Sequence, residues 1–245
     1  MECVRVARGY VVSEREVAER REDGDTAAVR TTIDASAGCE RLEQRVIRFG
    51  PGRSREQNLG SRQEVLYVVS GHGELELDGE RHPLEPDMGV FVAAGQTYAV
   101  HNPRPEALEV VSVVAPADRG PARDARRVTV RFDEQPELVA STERTFKYLV
   151  NEDAGCYDMT QFVGVVQPSK APFHSHTYDE VGYIVEGEGF AHIEGKSIPL
   201  RPGSCFHLSP GQEHCIENSG STVMRILGVF HPAGDPASRE YGDNK

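Results

Sequence analysis

Apolar residues fall in short stretches separated by glycine-containing turns. Val65–Val69, Glu74–Leu77, Val181–Val185 and Val223–Phe230 are rich in β-branched or aromatic side chains and read as strands. Ser70–Gly73, Asp78–Gly79, Glu186–Gly189 and Glu194–Gly195 read as the turns between them. Many short strands with regular turn signals predict an all-β sandwich or barrel. One segment reads differently. Ser13–Arg21 predicts a short helix, with Ser13 as N-cap and Glu16 at the capping-box position.

The pattern occurs twice. Glu64, Val65, Tyr67, Val69, Gly71 and Gly73 precede Glu180, Val181, Tyr183, Val185, Gly187 and Gly189 by one constant spacing. The same spacing joins Gly79 to Gly195, Leu84 to Leu200, Gly95 to Gly211, Gln96 to Gln212 and Asn102 to Asn218. Upstream the spacing grows by one residue, joining Ala37, Gly38, Cys39 and Pro51 to Ala154, Gly155, Cys156 and Pro168. A fixed register over so many positions implies a duplicated domain. The boundary is expected near residues 118–127, which are polar and contain glycine and proline. The expected division is 1–117 for the first copy with an N-terminal arm, 118–140 for a linker or exchanged segment, and 141–245 for the second copy.

Charge and composition narrow the function. The chain of 245 residues has a net charge of −12, and each copy carries half of it. With no basic patch or tail, neither nucleic acid nor an anionic membrane is an expected partner. No apolar run is long enough to span a bilayer, and the charged start lacks a signal-peptide pattern, so a cytoplasmic protein is expected. Cys3, Cys39, Cys156, Cys205 and Cys215 are odd in number and lack CxxC spacing. They read as reduced thiols and mostly as small buried side chains.

The second copy contains His174, His176, Glu180 and His214. Two histidines two apart on a strand share a face, and Glu180 keeps that parity. Asp179 falls on the opposite face. Three imidazoles and a carboxylate suit one divalent first-row metal, among Mn, Fe, Co, Ni, Cu and Zn. Such a set leaves two positions of an octahedron open, as a catalytic metal requires.

These residues carry a resemblance. His174-x-His176-x3-Glu180-x6-Gly187, followed by Gly203-x7-Gly211-x2-His214-x3-Asn218, resembles the two motifs of the cupin superfamily. The usual proline of the second motif is replaced by Ser209, with Pro210 next to it, which alters a turn and not a ligand. The resemblance covers residues 146–233 and, through the repeat, about 30–117. It implies two tandem cupin-type jelly-roll β-barrels, with His174, His176, Glu180 and His214 as metal ligands. In the first copy the same positions are Asn58, Gly60, Glu64 and Tyr98, so only the carboxylate remains. One carboxylate without imidazoles does not hold a transition metal tightly. The first copy is expected to be a structural or dimerising half; the rival reading is a metal-free binding pocket faced by Glu64 and Tyr98.

Gln161, Phe173, Tyr178, His207 and Phe230 lie near the ligands in sequence and are expected to line the cavity. His192 follows Gly189 and faces either way. Asn218 reads as a strand-end residue bonded to backbone. Aromatic residues around a metal point to a small organic substrate. Resemblance to bicupin enzymes implies dioxygenase-type oxidation. The alternatives are a metal-dependent isomerase or lyase, and a binding or sensing protein without turnover. Exposed sheet edges, together with the resemblance to bicupins, which often pair through them, imply a homodimer.

Overall fold

The structure, a computed structural model, describes residues 3–6, 9–119, 127–238 and 240–241. Residues 120–126, within the expected boundary, lie outside the described residues. Each copy forms a large and a small antiparallel sheet. In the first copy the large sheet has the order Thr129–Arg131, Met88–Val92, Arg62–Ser70, Leu108–Pro116, Glu43–Phe49, Ala27–Ile33, Arg20–Arg21. Its small sheet is built on Gly73–Leu77 and Thr97–Asn102. In the second copy the large sheet runs Val4–Val6, Gly9–Ser13, Ser204–Leu208, Asp179–Glu186, Met224–His231, Thr160–Val166, Arg144–Val150, Leu138–Ser141. Its small sheet is Ser169–Lys170, His214–Asn218, Gly189–Ile193 and Lys196–Leu200. The two copies are all-β, tandem jelly-roll barrels.

Alternation along the strands gives each barrel an apolar interior and puts a shared core between them. Leu66 and Val68 point into the first barrel with Leu75, Leu77 and Val100. Ile184 points into the second with Ile193, Leu200 and Phe206. The other faces of the same strands present Val65, Tyr67, Val181 and Tyr183 to a common core between the large sheets. A period of two thus lets each central strand serve two cores at once. The repeat is visible atom by atom. Asn102 Nδ2 donates to Phe49 O and Glu106 O, and Asn218 Nδ2 donates to Val166 O and Thr222 O. Asn218 is therefore the backbone-bonded strand-end residue its sequence context suggested.

The copies exchange edge strands. Gly9–Ser13 pairs with Ser204–Leu208 of the second copy, and Thr129–Arg131 pairs with Met88–Val92 of the first. The expected helix over Ser13–Arg21 is absent. Glu14–Glu16 makes one 3-10 turn, and Ser13 accepts from Arg15 N rather than from Glu16 N. Val17 is already extended, with φ −91° and ψ 129°. The segment has no apolar stripe to bury. It must instead bridge from the second copy's sheet to the edge strand Arg20–Arg21 of the first. No helix of the described residues is long and apolar enough to cross a membrane.

Candidate metal centre

Backbone pairing assembles the site. His174 and His214 form an antiparallel bridge, with His174 N donating to His214 O at 3.0 Å and His214 N donating to His174 O at 2.9 Å. His176 follows at the same parity, and Glu180 reaches in from the start of Asp179–Glu186. One nitrogen from each of His174, His176 and His214 lies within 4.8 Å of the others. Glu180 Oε2 lies 3.7 Å from His176 Nε2 and 3.9 Å from His214 Nε2. All four side chains are buried.

The second nitrogen of each ring decides the donor chemistry. His174 Nδ1 is 3.0 Å from Pro172 O, His176 Nδ1 is 2.9 Å from Ser238 O, and His214 Nδ1 is 2.9 Å from Gln212 O. A carbonyl oxygen only accepts, so each Nδ1 carries the proton. In the neutral ring the lone pair is then on Nε2, the atom a metal ligand must offer. Three neutral imidazole donors and one carboxylate fit a divalent first-row ion.

Aromatic residues brace the ligands. Tyr178 stacks on His176 at 5.1 Å between centroids and 14° between planes, and its hydroxyl donates to Asp235 O at 2.7 Å. Phe230 packs against both rings. A cavity of about 80 Å³ opens over the four candidate ligands. Arg144, Phe162, Phe206, Ile226 and Phe230 are among its walls. Gly182 and Gly228 make room for two of these rings. A Cβ at Gly182 would sit 2.1 Å from the Phe206 ring, and one at Gly228 would sit 2.4 Å from the Phe162 ring.

Three expected lining residues lie elsewhere. Gln161 alternates with Phe162, so it points into the core between the sheets, where its Oε1 would meet a Cβ on Gly89 at 2.7 Å. His207 alternates with Phe206 for the same reason, and its Nε2 meets Asp179 Oδ1 at 2.9 Å. Asp179 is thus on the face away from the imidazoles, as strand parity required. Phe173 is 43% exposed and packs on His192 at the surface. His192 points outward, to Ser197 and Glu217. Of the expected lining set, Phe230 lines the cavity and Tyr178 packs behind a ligand. Sequence reading missed Arg144, Phe162 and Phe206 as lining residues, and missed the carbonyls of Asp235 and Ser238. Phe206 lies on a different strand from Glu180, so its face depends on the pairing register of Gly182 with Phe206, which the sequence does not mark; backbone carbonyls leave no signal either.

The first barrel uses the same positions differently. Glu64, fully buried, accepts a hydrogen bond from Tyr98 Oη at 2.8 Å and another from Ser112 Oγ. Burial, then the neighbouring Glu64 charge, push the Tyr98 phenol well above its usual range, so it stays a donor. Asn58 turns to Gly95 O and Thr97 Oγ1. The cysteines are all free thiols. Burial pushes the Cys205 thiol up to about 12, and raises that of Cys215, whose Sγ donates to Ala171 O. Neither is primed as a nucleophile.

Comparison with known proteins agrees with this architecture. The chain is 37% identical over 63 residues to the oxalate-binding protein of Thermotoga maritima, covering 25% of this chain and 52% of that protein. The chain therefore spans about half the length of that relative. It is 30% identical over 98 residues to L-ectoine synthase of Mycolicibacterium gilvum, covering 39% of this chain and 73% of the synthase. Among solved structures it resembles the putative glyoxylate induced protein from Pseudomonas aeruginosa, with TM-score 0.80 at 17% identity, over 100% of this chain and 95% of the other. It also resembles an oxalate decarboxylase mutant from Bacillus subtilis, with TM-score 0.72 at 14% identity, over 90% and 76% of the two chains. At such identities the structural likeness speaks to the fold. The cupin domain model matches residues 45–114 and 162–230, more than half of the chain, and the protein belongs to the cupin family.

Proposed function

We propose that the second barrel is the active site of a mononuclear metal-dependent enzyme acting on a small organic acid. The observation that carries this reading is the set of three Nδ1–carbonyl bonds, which orient three imidazoles whose ring nitrogens converge within 4.8 Å of one another beside Glu180. A divalent metal held by His174, His176, Glu180 and His214 would supply Lewis acidity, and redox chemistry if it were Mn or Fe.

The chain's own residues supply the rest. A cavity of about 80 Å³ admits only a few heavy atoms, which favours a small substrate over a ring system. Arg144 is among the cavity walls; its Nη2 donates to Ile216 O, and its guanidinium is a group whose fork matches a carboxylate. Phe162, Phe206, Ile226 and Phe230 exclude water and strengthen that charge pairing. The names of two relatives, an oxalate-binding protein and an oxalate decarboxylase, make oxalate the first acid to assay. Dioxygenase-type oxidation is the first reaction class in this reading; decarboxylation, isomerisation or lyase chemistry would be redox-neutral. Homodimerisation through sheet edges belongs to the same reading and is read by light scattering.

The test is turnover of oxalate and other two- to four-carbon acids by protein loaded with Mn, Fe or Ni, with dissolved oxygen followed at the same time. Substrate loss with oxygen uptake supports the oxidation. Substrate loss without uptake keeps the enzyme and replaces the reaction class. Saturable binding without product from any acid or metal reduces the reading to a binding protein.

A further inference from the structure

The first barrel contains a larger cavity, of about 310 Å³. Its place is set by the repeat. In the second copy Phe162, Gly164 and Val166 line the metal-site cavity, and Arg45, Ile47 and Phe49 are their counterparts in the first. Tyr98 stands where His214 does. The strand registers agree, since Ala27 pairs with Phe49 as Arg144 pairs with Val166. The two cavities are thus the same feature of two barrels. One has imidazoles; the other has a guanidinium and more room.

We propose that the first barrel is a metal-free binding site for a small organic anion, a carboxylate with an apolar body. Ala27, Val29, Ile47 and Phe49 form an apolar wall. Arg20, Arg21 and Arg45 bring positive charge to the same cavity, in a copy whose net charge is negative. The two acidic residues of the lining are engaged. Glu22 meets Arg55 at 2.6 Å, and Asp25 accepts from the backbone N–H groups of Ala27 and Arg55, each at 3.1 Å. Glu64 is not in the lining, and its carboxylate is taken up by Tyr98 and Ser112.

Arg45 is the central group. Its side chain is 14% exposed, and its Nε lies 2.8 Å from Glu43 Oε1. That contact is a charge pair whose N–H direction misses the oxygen, because Nε makes no hydrogen bond. Glu43 is also shared with Arg62, at 3.1 Å. A guanidinium with an unbonded, buried Nε beside an apolar wall favours a carboxylate over a cation or a neutral polar molecule. The apolar wall selects carboxylates that carry a hydrophobic portion.

The test uses the full, metal-loaded chain and 4-fluorobenzoate as probe, followed by ¹⁹F NMR, with 4-fluorobenzylamine as the cationic control. Saturable binding of the carboxylate at roughly 1 mM or tighter is expected, and much weaker binding of the amine. Arg45→Gln should weaken binding about tenfold, the loss of one charge-assisted contact. Arg20→Gln, on an exposed edge strand, should weaken it several-fold and serves as the deciding variant if Arg45→Gln does not fold. His176→Ala should leave binding unchanged, which separates this site from the metal centre. No saturable binding, equal binding of the amine, or loss of binding in His176→Ala would overturn the proposal. So would binding indifferent to both arginine variants.

Discussion

His176 Nδ1 lies 2.9 Å from the carbonyl oxygen of Ser238, a residue 62 positions later in the chain. The same carbonyl lies 3.3 Å from the hydroxyl of Tyr178, which stacks on His176. A short C-terminal segment, bridged to Ser175 through Glu240, therefore sets the tautomer and the tilt of one candidate ligand. Removing residues 235–245 should lower metal affinity about 10- to 100-fold, the usual cost of losing an outer partner of a ligating histidine. Competition with a chelator measures it. Unchanged affinity would show that the segment is only packing.

His176→Ala should lose most of the bound metal while keeping the β-sheet signature in circular dichroism. Elemental analysis of protein purified without a metal-affinity tag gives the ratio, expected near one per chain before the substitution. Full occupancy in the variant would remove His176 from the ligand set.

Protons and metal compete for the same Nε2 lone pairs. Metal content after dialysis should therefore fall as pH drops toward about 5. Occupancy that persists there would contradict a site built on three imidazoles.

Tyr98→Phe removes one of the two hydroxyls that satisfy the buried Glu64 carboxylate. The expected cost is about 1–3 kcal/mol of unfolding free energy, the cost of leaving a buried hydrogen-bond acceptor without one of its partners. Urea unfolding at neutral pH checks it, and an unchanged midpoint would show that the Tyr98 hydroxyl adds nothing to stability.

Asp87 joins the barrels through Arg225, with Oδ1 accepting from Nη2 at 2.7 Å and Oδ2 from Nη1 at 3.1 Å. Burial pushes its carboxyl up, but the hydrogen bonds from Arg225 and Tyr67 outweigh it and hold the group below its ordinary value. The stabilisation is present above the unfolded value of about 4 and is lost as pH falls through the lower folded one. Asp87→Asn should cost at most about 1 kcal/mol at pH 7, because solvent screens a carboxylate 39% exposed. The difference from the parent chain should shrink below about pH 4. A gap in urea midpoints that widened on acidification would show that Arg225 and Tyr67 do not hold the Asp87 carboxyl below its ordinary value.

Local periodicity determined much of this protein. The constant spacing between the copies, the alternation along each strand and the parity of His174, His176 and Glu180 are properties of neighbouring residues, and all are legible in the chain. Parity also excluded Asp179; His207 and Gln161 sit on other strands, and only the pairing register turns them away from the site. Tertiary structure alone decided what depends on distant backbone: the pairing of Gly9–Ser13 and Thr129–Arg131 with strands of the other copy, the clamp on His176 by Ser238, and the different volumes of two equivalent cavities. The physical reason is that carbonyl acceptors and edge-strand partners carry no side-chain signature, so nothing in the order of residues marks them. They become readable only when folding brings the ends of the chain to the same sheet.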